Sequence, residues 1–184
     1  MKNWLKAYSA EHAKIVKELD HNKWSKIIAM VKTAGQNGKQ IFIVGNGGSA
    51  ACASHLQVDL NYGASKKRAK PFKAFCPSNE VPWMTALGND IGYQAIFSRQ
   101  MLNFCGKGDL LIVISVSGNS PNLLEAAALA KKRGMKVAAI VGDHNGKIIK
   151  LADTSLIIPS GHYGHVEDIQ MFICHSIAYF FTQA

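Results

Sequence analysis

Cysteine is scarce in this sequence and scattered: Cys52, Cys76, Cys105 and Cys174 form no C-x-x-C pair. That spacing speaks against both a disulfide framework and a thiolate zinc knot. Three of the four stand in or beside apolar runs, where a free thiol behaves as a small hydrophobe. A reducing, cytoplasmic setting is expected. Long apolar runs are missing too. None approaches the roughly 20 residues needed to span a bilayer, so no membrane partner is expected. The opening Met1-Lys2-Asn3-Trp4-Leu5-Lys6 has neither the apolar stretch nor the small-residue cleavage site of a signal peptide. Acidic residues are few, 12 against 21 Lys and Arg, which gives a net charge of +9. Such an imbalance favours anionic partners, either nucleic acid or phosphorylated metabolites. The two dense clusters, Lys66-Lys67-Arg68-Ala69-Lys70 and Lys131-Lys132-Arg133, carry no interleaved aromatics. This weakens single-strand binding, and they read as solvated surface. The P-loop pattern G-x-x-x-x-G-K-[ST] is absent, which sets ATP hydrolysis aside.

What is present is an alternation of periods. Residues 3–37 carry apolar side chains at helical spacing, first Trp4, Leu5, Tyr8, His12, Ile15, Val16 and Leu19. A second helix near Lys23 to Gln36 carries Trp24, Ile27, Ile28 and Val31, with Gly38 as its stop. Beyond it, Gln40–Val44, Phe72–Cys76, Asp109–Ser115, Lys136–Val141 and Thr154–Ile158 read as strands. Ser49–Leu60, Glu80–Leu87, Ser120–Arg133 and Val166–Phe181 read as helices. Alternation of this kind implies a parallel sheet covered on both faces. The expected fold is α/β: a three-layer αβα, Rossmann-like arrangement on a five-stranded parallel sheet. The length suits one domain over 1–184, with leading helices in 1–37 and the core in 38–184. The apolar faces of the leading helices need a cover, either the sheet or another subunit.

Two Gly/Ser turns stand at strand ends, where open parallel sheets bind ligands. In Val44-Gly45-Asn46-Gly47-Gly48-Ser49 the glycines let the backbone approach a ligand, and a helix start follows. Ser49 can donate a hydroxyl and can cap that helix. Ser115-Val116-Ser117-Gly118-Asn119-Ser120 repeats the design, with Ser120 as cap and Pro121 at the first helical position. Hydroxyls and backbone amides without a lysine suit a phosphate monoester on a small molecule. Gly45-x-Gly47-x-x-Ala50 fits the loose dinucleotide pattern, but no acidic residue ends the next strand to hold a ribose. His55 and Asp59 stand at i, i+4, one face of the helix that starts at the first turn, and such a pair can share a metal.

Two such turns in one sheet resemble the sugar isomerase (SIS) family and, within it, the phosphoheptose isomerases. The resemblance runs nearly end to end. It covers the leading helices, VGNGGSAA with His55 after it, ALGNDIGY, IFSRQ, GDLLIVISVSGNSPN, the GMKV strand and the closing helix. It implies a SIS or flavodoxin-like fold, a homotetramer with active sites at subunit contacts, and one zinc ion per subunit. It also implies an aldose–ketose isomerisation of sedoheptulose 7-phosphate to D-glycero-D-manno-heptose 7-phosphate, supplying heptose precursors for surface lipopolysaccharide. Carried over residue by residue, the resemblance has Asn46, Gly47, Gly48 and Ser49 contact the sugar phosphate, and Asn89 and Asp90 the sugar hydroxyls. Ser115, Val116, Ser117 and Ser120 would hold the phosphate. His55, Asp59, Glu167 and His175 match the metal ligands, with Asp59 also the base, His175 the partner acid and Glu167 also a substrate contact.

The sequence departs from the family pattern at three of these positions. Asp59 stands where glutamate is usual, Val116 where threonine is, and Glu167 where glutamine is. A second alignment puts Gln170 at the glutamine and leaves Ala178 where a ligand histidine belongs. Glu167 and His175 are eight residues apart, about 12 Å along one continuous helix. Both reach one metal only if Glu167 precedes the regular helix or chains share sites. A non-catalytic SIS module, a phosphosugar sensor or scaffold, is the competing reading, and loss of the metal-site His and Glu would mark it. His55 and His175 persist.

Overall fold

The computed structural model describes residues 1–183, which fold around one parallel sheet. The chain enters through α1 (Lys2–Lys17) and α2 (His21–Gln36). Asp20 starts α2, its carboxylate accepting from the Asn22 and Lys23 N–H groups at 2.9 and 3.0 Å, which satisfies two of the donors a helix start leaves free. Gly38 stops the helix at φ +63. There the Lys39 N–H donates to the Ala34 carbonyl at 2.9 Å and the Gly38 N–H to that of Gly35 at 3.2 Å. This paired closure needs a residue at ease with positive φ.

There follow β1 (Gln40–Val44), α3 (Gly48–Val58), β2 (Lys73–Phe75), α4 (Val81–Asp90) and α5 (Ser98–Leu102). The second half comprises β3 (Leu110–Ser115), α6 (Pro121–Lys132), β4 (Lys136–Gly142), β5 (Thr154–Ile158) and α7 (Tyr163–Gln183). All neighbouring strands pair in parallel, in the order β2-β1-β3-β4-β5. This is the expected five-stranded αβα fold. Strand order reverses between β1 and β3, and that reversal opens the crevice where such sheets take ligands.

Successive strand residues point to opposite faces, and each face meets its own helices. Ile41, Ile43, Leu110, Ile112 and Ile114 pack with Ile27, Val31, Leu56, Ile169, Ile173 and Ile177, from α2, α3 and α7. Phe42, Val44, Leu111 and Val113 pack with Met101, Leu123, Ala126, Ala127 and Ala130, from α5 and α6. Both faces are apolar, so the strands read as continuous hydrophobic runs rather than alternating ones.

Several boundaries differ from the sequence reading. Strand β2 keeps three of its five expected residues. Helix α4 starts at Val81 and runs on to Asp90, so Asn89 and Asp90 end a helix. Helix α3 gives way at Asp59 to a wide π-type turn, Asp59–Gly63. Helix α7 begins at Tyr163, ahead of the expected Val166. In α1 only Ile15 is buried, while Trp4 and Leu5 stand 63% and 51% exposed. Among the described residues no helix is long and apolar enough to cross a membrane.

Candidate active site

Strands β1 and β3 end side by side, with Val44 opposite Val113, so the two Gly/Ser turns meet at the strand-order reversal. The first enters α3 through Gly47, at φ +55, and no side chain caps that helix start. Its free N–H groups are therefore available to an anion. Ser49, expected as a cap, lies inside the helix and donates its hydroxyl to Gln170 Oε1 at 2.8 Å. Gly45 has no room for a side chain: a Cβ there would sit 2.5 Å from the Ser49 carbonyl oxygen. The obstacle is backbone, so Gly45→Ala must displace the turn. A cost of about 1–3 kcal/mol is expected from such overpacking, read as a lower Tm.

In the second turn Ser115 Oγ accepts from the Gly118 N–H at 3.0 Å and Ser117 Oγ from the Asn119 N–H at 3.2 Å. Ser120 and Pro121 stand where the sequence put them, but the Ser120 hydroxyl makes no capping bond. A reciprocal amide pair ties the turns together. Asn46 Nδ2 donates to Asn122 Oδ1 at 3.0 Å, and Asn122 Nδ2 to Asn46 Oδ1 at 2.8 Å.

Between the turns lies a cavity of about 80 Å³ lined by Asn46, Ser49, Ser115, Val116, Ser117 and Ser120, with Tyr163 and Glu167 of α7 against it. No lysine or arginine lines it. An anion would be held there by hydroxyls, an amide and two helix N-termini. Glu167 fills the space over Gly48, against which its carboxylate is packed.

The second cluster is built by α3 and α7. His55 Nε2 lies 3.3 Å from Asp59 Oδ2, and His175 Nε2 lies 2.9 Å from His55 Nε2. One ligand atom from each residue lies within 4.8 Å of the others. Asp59 Oδ2 is buried and accepts no hydrogen bond. Lone pairs that converge in this way are relieved by a proton or a cation. Two imidazoles and a carboxylate are zinc ligand types, and three protein ligands leave one position open. The donor set fits the metal.

Glu167 does not join this cluster. Helix α7 is continuous from Tyr163, so Glu167 lies inside it, two turns before His175 and about 12 Å along the axis. Gln170 stays away as well, held on Ser49, and Ala178 is buried in the core. Burial, aided by the Glu167 charge, pushes Cys52 up to about 11, and burial holds Cys174 well above the usual thiol range.

The SIS domain family matches residues 4–142. The phosphoheptose isomerase of a Nitratiruptor species is 37% identical over 169 residues, 85% of this chain and 90% of the relative. That of Campylobacter concisus is 35% identical over 96% of this chain and 92% of its own. The chain belongs to the phosphoheptose isomerases of the SIS family. Two solved phosphoheptose isomerases superpose on it with a TM-score of 0.90. The one from Francisella tularensis is 25% identical and covers 100% of this chain and 96% of its own. The one from Neisseria gonorrhoeae is 26% identical and covers 100% and 99%.

Against that family background, Asn89 and Asp90 stand apart from the cavity in the single chain. Asn89 Nδ2 donates to Asp90 Oδ1 at 2.9 Å, and both residues are exposed at the end of α4. Sequence reasoning missed Asn122, fully buried at the head of α6, and Tyr93, whose hydroxyl donates to Asn46 Oδ1 at 3.4 Å. An asparagine directly after the Ser120-Pro121 helix start was the one available signal for Asn122.

Proposed function

We propose that this protein is an aldose–ketose isomerase that converts sedoheptulose 7-phosphate to D-glycero-D-manno-heptose 7-phosphate. The observation that carries the reading is the pairing of a hydroxyl-lined anion cavity with the His55–Asp59–His175 cluster in a phosphoheptose isomerase chain. The phosphate is gripped by the turns at Gly45–Ser49 and Ser115–Ser120. Gripping this remote group fixes the reacting carbons and converts a collision into an intramolecular step. Asp59 removes a proton from the carbon beside the carbonyl and leaves an enediolate. The hydroxyl proton passes from one oxygen of the enediolate to the other. His175 supplies a proton to the neighbouring carbon from Nδ1, the ring nitrogen that does not face His55, while solvent carries the proton taken by Asp59 back to His175. A carboxylate has two oxygens, so the one that faces the imidazoles leaves the other free to act as base.

His55, Asp59 and His175 would hold one zinc ion per subunit, which when bound polarises the carbonyl and eases loss of the neighbouring proton. Asn89 and Asp90 would reach the sugar hydroxyls across a subunit contact, and Glu167 would meet the substrate beside Gly48. The exposed Trp4 and Leu5 of α1 offer apolar surface for such a contact, in keeping with a homotetramer of single-domain chains. The setting is the cytoplasm, and the product feeds synthesis of lipopolysaccharide precursors.

The test is direct. The purified protein is incubated with sedoheptulose 7-phosphate, with and without added zinc, and formation of the heptose 7-phosphate is followed by NMR. Conversion is the expected result. Sugar-phosphate binding without conversion would assign the site to a different substrate.

A further inference from the structure

Beyond the His55–Asp59–His175 cluster, the π-type turn and the end of α7 wall a second cavity of about 590 Å³. Ligand sites commonly measure roughly 300–1,000 Å³. Lys32 of α2 lines it, with Lys66, Lys67 and Arg68 from the segment after the turn, and no carboxylate stands among the described lining residues. None of the four cations is in an ion pair with a described residue. Like charges gathered in one concavity raise its potential and draw in an anion. Arg68 is seated rather than waving. Its guanidinium carbon lies 4.2 Å from the centre of the Phe72 ring and 5.9 Å from that of Phe181, and its Nε donates to the Lys70 carbonyl at 3.3 Å. A guanidinium held this way presents a fixed fork, the geometry that suits paired phosphate oxygens.

The contrast with the cavity between the Gly/Ser turns decides the ligand class. That cavity is lined by neutral donors and one carboxylate, Glu167, with no cation. This one gathers four cations, whose summed charge exceeds the roughly −1.5 to −2 of a single phosphate monoester. We propose that it binds a polyphosphate group, the chemistry shared by nucleoside di- and triphosphates and inorganic polyphosphate chains. Phe180, 45% exposed on its wall, supplies a ring face on which a base can stack. The assignment rests on the lining of the two cavities and does not require that the protein be an isomerase.

The full chain is titrated by calorimetry with inorganic tripolyphosphate and with ATP, at low salt and at physiological salt. Saturable binding, weakened by salt, is expected. Affinity should fall at least tenfold in Lys66→Ala/Lys67→Ala and in Lys32→Glu, and stay unchanged in Ser117→Ala. Lys32 is an exposed residue of α2, so its variant keeps the test open if the segment variant does not fold. ATP binding tighter than tripolyphosphate, and weakened by Phe180→Ala, identifies a nucleotide. Equal affinities identify the polyphosphate chain alone. No saturable binding, binding retained in both cation variants, or binding lost in Ser117→Ala overturns the proposal. Tighter binding of a single-stranded oligonucleotide than of either probe also overturns it, since the surface would then serve nucleic acid.

Discussion

Asp59→Asn is expected to lower kcat about 10²- to 10⁴-fold, the usual contribution of a positioned general base, while the protein still binds the sugar phosphate. The amide keeps the shape of the carboxylate and loses its basicity. The fold does not depend on the charge: the π-type turn is held by the Ala64 N–H on the Asp59 carbonyl at 2.8 Å, a backbone bond that the substitution leaves alone. The anion cavity does not include Asp59 among its lining residues, so KM should move little. An interaction needed only in the transition state lowers kcat and kcat/KM together, and steady-state kinetics with sedoheptulose 7-phosphate read both. Exchange of solvent deuterium into the reacting carbon reports the proton abstraction itself and should stop with turnover. Full activity in the variant would sink the assignment of Asp59 as base.

Features written in consecutive residues were legible in the sequence. The strands Gln40–Val44 and Thr154–Ile158 stand where they were read, because runs of β-branched residues between turn residues suit a buried strand. The two Gly/Ser turns were legible for the same local reason, and so was the pairing of His55 with Asp59 one helical turn apart. Features made by the third dimension were not. His175 meets His55 across 120 residues, and only the family resemblance linked them. The Asn46–Asn122 pair spans 76 residues and left no trace in either turn. Helix α5 has five residues, too few to show a period. The separation of Glu167 from His175 within one chain was hard to see because the start of α7 was hidden. Its first turn holds Tyr163, Gly164 and His165, with no apolar periodicity. Its capping side chain is the imidazole of His162, which accepts from the His165 N–H at 3.3 Å in place of the usual hydroxyl or carboxylate. With the start placed at Val166, Glu167 already lay in the first turn, and its joining His175 on one metal required that it precede the regular helix or that chains share sites. With the start at Tyr163 it is fixed on the anion cavity.

His55→Ala should separate the metal from the base. The His55 side chain is 44% exposed, so its removal costs little stability. Two donor atoms then remain, one from Asp59 and one from His175. Losing even a supporting partner of a metal ligand costs about 10–100-fold in affinity, and losing a ligand itself should exceed that. Zinc measured by elemental analysis after dialysis is expected to fall from about one per chain in the parent to a trace, with sugar-phosphate binding intact. Turnover should fall with it. Excess zinc then distinguishes the two roles. It should restore part of the activity of His55→Ala, which keeps its base, and none of the activity of Asp59→Asn, which has lost it. Zinc content unchanged in His55→Ala would mean that the cluster is not the metal centre. Content lost with turnover preserved would mean that Asp59 and His175 suffice for the chemistry, and that the metal serves only to hold α3 and α7 together.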